Sequence, residues 1–306
     1  MSLSELPLGL SRDDIMQAMA PFVQRRVVGD DPEWDTMVRK RKKRIVRESI
    51  RRMTLGWLPQ NQRRPAAVIE EYTQLWGVGY GGYDPSAPAR RYRPWHWGDE
   101  RLFASDFGGV RVRQLMLVRL IERLQPRSVL EVGCGLGIHL ILLACRFPHI
   151  SFAGVELTDA GHSAARKLQQ QERLPEHLVR FAPEPVKDPA AFRRIDFRQG
   201  NAAALPFQDG GFDLVYTVLA LEQMERVRER ALAEIARVTR RHFFAIEPFR
   251  DVNASGWQRL YVLARDYFRG RIGDLPRHGL LPTLVWNDFP QERFLHACAV
   301  LAEKRG

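Results

Sequence analysis

The stretch with the clearest chemical content is Val129-Leu130-Glu131-Val132-Gly133-Cys134-Gly135-Leu136-Gly137, an apolar run that ends in glycines at alternate positions. Such a run reads as a strand turning into a helix. Glycine at the turn lets the backbone bend tightly and approach a ligand that a Cβ would obstruct. The spacing is G-x-G-x-G and position 138 is Ile138, so the G-x-G-x-x-G dinucleotide fingerprint is not met. The next strand ends at Glu156, twenty-five residues after Glu131, where a carboxylate can accept hydrogen bonds from both hydroxyls of a ribose.

Three later stretches extend the pattern in order along the chain: Gly200-Asn201-Ala202-Ala203-Ala204-Leu205-Pro206-Phe207, Phe212-Asp213-Leu214-Val215-Tyr216 and Leu221-Glu222-Gln223-Met224. Together with the glycine turn they resemble the class I S-adenosylmethionine-dependent methyltransferases, in the subgroup that methylates small molecules. The resemblance covers about residues 110–304. It implies that Glu131, Gly133, Cys134, Gly135 and Gly137 surround the methionine part of S-adenosylmethionine, with Glu156 and Leu157 at its ribose and adenine. It further implies Asn201 and Ala202 at the adenine, and Val218 and Leu219 on the reactive side. Asn201 stands where the family usually has aspartate, although its carbonyl can still accept from the adenine amine. Gln223 stands where the family often has histidine, which removes the base that would be carried over from there.

Methyl transfer from a sulfonium is an in-line displacement, for which orientation alone supplies ~7–11 kcal/mol. A hydroxyl acceptor also needs a base, whereas a neutral amine attacks first and loses its proton later. His96 and Glu222 are the catalytic candidates, with Glu247 behind them at a strand end. The segment from Tyr80 to Trp97 is rich in aromatics whose faces stabilise a cationic sulfonium or acceptor. Trp76, Tyr80, Tyr92 and Trp95 are therefore expected to bind the acceptor. Histidines are scattered and no H-E-x-x-H occurs, so a metal site is not expected.

These residues need a scaffold. From Val110 onward, strands and helices alternate, which predicts an α/β fold: a Rossmann-like, seven-stranded, mostly parallel sheet with helices on both faces. The strands are expected at 128–132, 151–156, 195–198, 212–218, 242–247, 281–286 and 294–302. Prolines 183, 185 and 189 mark an inserted loop before Arg194. Residues 1–108 read as a helical N-terminal extension capping the active site, and residues 109–306 as the cofactor-binding domain. The extension should hold helices towards Arg26, from Asp31 onward and over 65–76. A glycine- and aromatic-rich functional loop without regular strands should follow from Gly77 to Gly109. In the second helix Val38, Ile45, Val46, Ser49, Ile50 and Met53 form one apolar stripe.

The 306 residues carry a net charge of +11, and the excess is local: between Val38 and Met53 nine cations face Glu48 alone, giving +8 and leaving +3 elsewhere. Two other readings of the chain follow from this and from the fold's versatility. One is a methyltransferase acting on RNA or another anionic macromolecule through the basic helix 38–53, and the other is a non-catalytic binding protein retaining the fold. The favoured expectation is transfer to an O or N of a small molecule, with nucleic acid disfavoured as a partner and homo-oligomerisation left open. Three cysteines without a C-x-x-C pair, no secretory leader and no apolar run near ~18 residues point to a cytoplasmic protein without a membrane span.

Overall fold

The computed structural model describes residues 7–55, 70, 73, 74, 76, 79–89, 91–265 and 267–305. The expected helix over 65–76 falls largely outside them. The N-terminal region supplies α1 (Arg12–Met19), β1 (Val23–Val27), α2 (Pro32–Leu55), β2 (Arg93–Trp97), β3 (Glu100–Ala104) and α3 (Asp106–Leu124). The next elements are β4 (Ser128–Val132), α4 (Ile138–Arg146), β5 (Ser151–Glu156), α5 (Asp159–Gln169), α6 (Glu176–Phe181), β6 (Asp196–Gln199) and β7 (Phe212–Val218). Last come α7 (Arg228–Val238), β8 (Thr239–Glu247), α8 (Gly256–Ala264), β9 (Leu280–Trp286), β10 (Gln291–Glu292) and β11 (Cys298–Lys304).

Seven strands form one sheet in the order β6-β5-β4-β7-β8-β11-β9. Strand β4, the source of the glycine turn, pairs in parallel with β5 on one side and β7 on the other, Leu130 facing both Ala153 and Val215. Only β11 is reversed, running antiparallel to β8 and β9. Strands with such continuous apolar character are buried on both faces. Along β7 the side chains alternate accordingly. Leu214 and Tyr216 join a core with Leu140 and Phe244, while Val215 joins another with Leu232, Ile235 and Phe243. This is the α/β architecture expected from the sequence.

The N-terminal region departs from expectation. It is not only helical: β1, β3, β2 and β10 form a second, antiparallel sheet. The first helix ends at Met19, because Pro21 interrupts it, and the chain continues as β1. Strands β2 and β3 occupy the segment read as an irregular loop. They form a hairpin in which Trp97 pairs with Glu100 across the two-residue turn Gly98-Asp99, Gly98 lying at φ 56°. Each strand has only five residues and is stabilised by partners far away in sequence, Ala104 facing Val23 and His96 facing Gln291. The stated division at 108/109 also cuts through α3. One core joins Leu10, Met19, Trp95 and Leu102 from the N-terminal part to Leu117, Leu140 and Phe244.

Candidate functional site

The turn after β4 has Gly133, Gly135 and Gly137 at φ 79°, 53° and 73°, a region that side-chain-bearing residues rarely adopt. A Cβ on Gly133 would lie 2.6 Å from Ala220, and one on Gly135 would lie 2.6 Å from the Trp76 ring. The turn is fastened to its neighbours. Gly133 N and Cys134 N donate to Val155 O (2.8 and 3.1 Å), and the Tyr80 hydroxyl donates to Leu136 O at 2.6 Å. It opens onto a cavity of about 410 Å³ at the C-terminal ends of β4, β5 and β7, the edge where sheets of this kind take ligands.

Nearly all the residues expected around the cofactor line this cavity: Glu131, Gly133, Cys134, Gly135, Glu156, Leu157, Asn201, Ala202, Val218 and Leu219. Gly137 does not. It begins α4 behind the turn, where a Cβ would strike the Phe197 ring at 2.6 Å. Glu156 is buried, and its oxygens already accept bonds. Gly135 N reaches Oε2 at 2.9 Å, while Thr158 N and Oγ1 reach Oε1 at 2.9 and 2.6 Å. Oε2 keeps a lone pair for a hydroxyl donor, and a second contact must displace one of these. Asn201 likewise spends part of its carbonyl capacity on Ala203 N (2.9 Å). Glu131 accepts from the Tyr216 hydroxyl (3.0 Å), and burial pushes its carboxyl well above the usual carboxylate range. Leu219 sits at φ 52° on the cavity wall, a strained conformation for a residue with a side chain.

The acceptor-side expectations fare differently. Trp76 lines the cavity; Tyr80, Tyr92, Trp95 and His96 do not. Tyr80 braces the glycine turn from outside. Trp95 is buried and packs against Gly109 of α3, while Tyr92 packs against the Trp34 and Phe103 cluster. His96 lies in β2 with its Nε2 3.1 Å from Nε2 of His296, and burial, helped by repulsion from His296 and Arg293, lowers its pKa to about 4. The hairpin's pairing with β10 carries Trp95 and His96 into the second sheet and away from the cavity wall. The proline-marked insertion is not a wall either. Lys187 N and Asp188 N both donate to Cys145 O, docking it behind α4. Glu222 does line the cavity, accepting from the Tyr267 hydroxyl (2.5 Å) and Gln223 Nε2 (2.8 Å). Glu247 is fully buried and caps the turn that carries Glu222, accepting from Ala220 N, Leu221 N and Glu222 N at 2.9, 3.0 and 3.3 Å. Burial raises its pKa to about 7.

Of the cavity residues not singled out as binding residues from the sequence, Tyr83, Arg113 and His139 carry polar side chains of chemical interest. Tyr83 was read only as part of the aromatic segment, and burial raises its pKa. Arg113 of α3 is half-buried and lines the cavity, yet among the described residues its Nε meets no hydrogen-bond partner. Burial lowers its pKa from the usual guanidinium value against the attraction of Glu292, Asp106 and Glu222. His139 is held by Gln114. The Gln114 amide N–H donates to His139 O (3.5 Å), which leaves its Oε1 to accept from Nδ1 (2.7 Å) and assigns the ring proton to Nδ1. Burial takes the His139 pKa down to about 3, so the ring is neutral and Nε2 is an acceptor. The available signal was an arginine and a histidine set in otherwise apolar helix faces.

Residues 130–242 match a family described as a methyltransferase domain, with the glycine turn, Glu156 and the wall after β7 all inside the match. This segment is a class I S-adenosylmethionine-dependent methyltransferase domain. The cofactor of that class is S-adenosylmethionine. A ubiquinone/menaquinone biosynthesis C-methyltransferase of Methylobacterium nodulans is 43% identical over 143 residues, 46% of this chain and 49% of that protein. Norajmaline N-methyltransferase of Rauvolfia serpentina is 26% identical over 114 residues, 37% of this chain and 32% of its own length. The matches thus span half or less of these curated relatives. Among solved structures, the [4+2]-cyclase SpnF is similar in fold, with TM-score 0.50 and 16% identity over 78% of this chain and 92% of that one.

The cavity fits the cofactor by its own chemistry. A turn that no Cβ can enter leaves room for close backbone approach. Glu131 and Glu156 supply buried acceptors for ammonium and hydroxyl groups, and the guanidinium of Arg113 supplies a cation for a carboxylate.

Proposed function

We propose that the chain transfers a methyl group from S-adenosylmethionine to an O or N of a small molecule. The observation that carries this reading is the cavity itself. It is of small-molecule size and lined by the glycine turn, Glu156 and the wall after β7, while no residue of α2 lines it. That placement weighs against a polymer led in along the basic helix. The relatives carry names of C- and N-methyltransferases, so they support methyl transfer without selecting the accepting atom. The likeness to a cyclase keeps the fold from deciding the activity.

The cofactor supplies an electrophilic methyl group on a sulfonium. The chain's own residues orient and exclude water. Gly133 and Gly135 admit the ligand's backbone-close approach, Glu156 takes a ribose hydroxyl on Oε2, and Arg113 holds the methionine carboxylate opposite Glu131. Trp76 and Tyr83 cover the site with aromatic surface. Glu222 is the residue placed to accept a proton from a hydroxyl acceptor, positioned by Tyr267 and by the Glu247-capped turn. His96, outside the cavity wall, has no proton-transfer role in this reading.

Methyl-labelled S-adenosylmethionine incubated with separated cell fractions tests the proposal. Label is expected in the low-molecular-mass fraction and is expected to depend on Glu156. Label confined to RNA or protein, or none in any fraction despite tight cofactor binding, contradicts it.

A further inference from the structure

Helix α2 has two unlike apolar faces. Trp34, Val38 and Ile45 point inward and are buried. A third of a turn round, Val46, Ile50 and Met53 are 41%, 58% and 85% exposed, so the stripe read from the sequence as one is in fact split between core and solvent. Arg39, Lys43 and Arg47 stand on this outer face among them, and no carboxylate of the described residues pairs with these three. Helix α8 packs alongside, and its Trp257 borders the same outer face. Its Trp257 ring lies 5.1 Å from Lys42 Nζ, and its Leu260 and Leu263 are exposed. Arg41 anchors the helix pair from the other side, donating to the Tyr261 hydroxyl at 3.1 Å.

We propose that this shared face of α2 and α8 is a docking surface for a bilayer containing anionic lipid. Cations alone would suit any polyanion. What singles out a bilayer is the apolar ridge between them: phosphates of a nucleic acid would engage Arg39, Lys43 and Arg47 but leave Ile50 and Met53 in water. A second copy of the chain would set one +8 segment against another. A lipid interface meets both needs at once, with acyl boundary under the ridge and anionic headgroups beside the cations, whose long stems let the charged ends reach upward. A tryptophan with one edge apolar and a polar N–H suits the same depth. Among the described residues no helix is long and apolar enough to cross a membrane, so α2 lies on the surface and does not span it.

The test uses the full chain and sedimentation with vesicles of phosphatidylcholine alone or mixed with phosphatidylglycerol. Binding is expected only to the mixed vesicles, falling with added salt. Lys43→Gln and Arg47→Gln should each weaken it roughly fivefold. Ile50→Ser with Met53→Ser should weaken it at low salt with every charge intact, a loss that an electrostatic contact alone would not show. These side chains are exposed, so the variants should fold, and unchanged S-adenosylmethionine binding confirms that they do. The three native cysteines are buried, so a polarity-sensitive dye on Met53→Cys reports selectively on this face and should move to an apolar environment with the mixed vesicles. No binding to the mixed vesicles, binding indifferent to the serine pair, or tighter binding to single-stranded RNA than to vesicles overturns the proposal.

Discussion

At the residue scale the site rests on a few groups whose surroundings contradict their solution chemistry. Arg113 is a cation held against the cavity with no partner on its Nε, and its proposed partner is the methionine carboxylate. Arg113→Met should therefore weaken S-adenosylmethionine binding by about tenfold or more, as loss of a hydrogen bond to a charged group does. Decarboxylated S-adenosylmethionine supplies the control: wild type and variant should bind it alike, and a further loss in the variant would remove the assignment. His96 gives a prediction on stability. Its folded pKa of about 4 lies below the ordinary histidine value, so the neutral ring is the folded form. Its stabilising contribution is then present above about pH 6.5 and lost as pH falls towards 4. Melting curves of wild type and His96→Asn should accordingly converge as pH drops through that window, and a gap that widens would reverse the sign. The glycines at positive φ and Glu156 were legible in the sequence, because only glycine tolerates that backbone and the acidic residue ends the next strand. Arg113 and His139 were not, because their role comes from the cavity that tertiary packing builds around them.

At the scale of elements, the seven-stranded sheet was legible because buried parallel strands are near-continuous apolar runs separated by amphipathic helices. The β2–β3 hairpin was missed because five-residue strands with Trp, His and Arg in them carry no clean alternation, and their pairing partners lie far off in sequence. The turn Gly98-Asp99 was the available signal. The hairpin's position also explains where the aromatic residues went. Trp95 packs against α3 at Gly109, where an added Cβ would fall 2.5 Å from its Cη2. Gly109→Ala is expected to cost about 1–3 kcal/mol of stability in denaturant titration, the usual range for overpacking. A neutral or stabilising effect would mean that the hairpin does not press on the helix as described.

At the scale of the molecule, a methyltransferase domain is continuous with an N-terminal region that shares its core and contributes Trp76, Tyr83 and Arg113 to its cavity. The basic helix is separate from that cavity and turns its charge outward with an apolar ridge. The central claim is that the cavity under the glycine turn holds S-adenosylmethionine, with Glu156 at its ribose. Calorimetric titration of the wild-type chain and of Glu156→Ala with S-adenosylmethionine tests this most directly. The wild type should bind one equivalent, and the variant, folded by circular dichroism, should lose about 1.5–3 kcal/mol of binding free energy. No heat of binding to the wild type, or equal affinity in the two proteins, would contradict the claim.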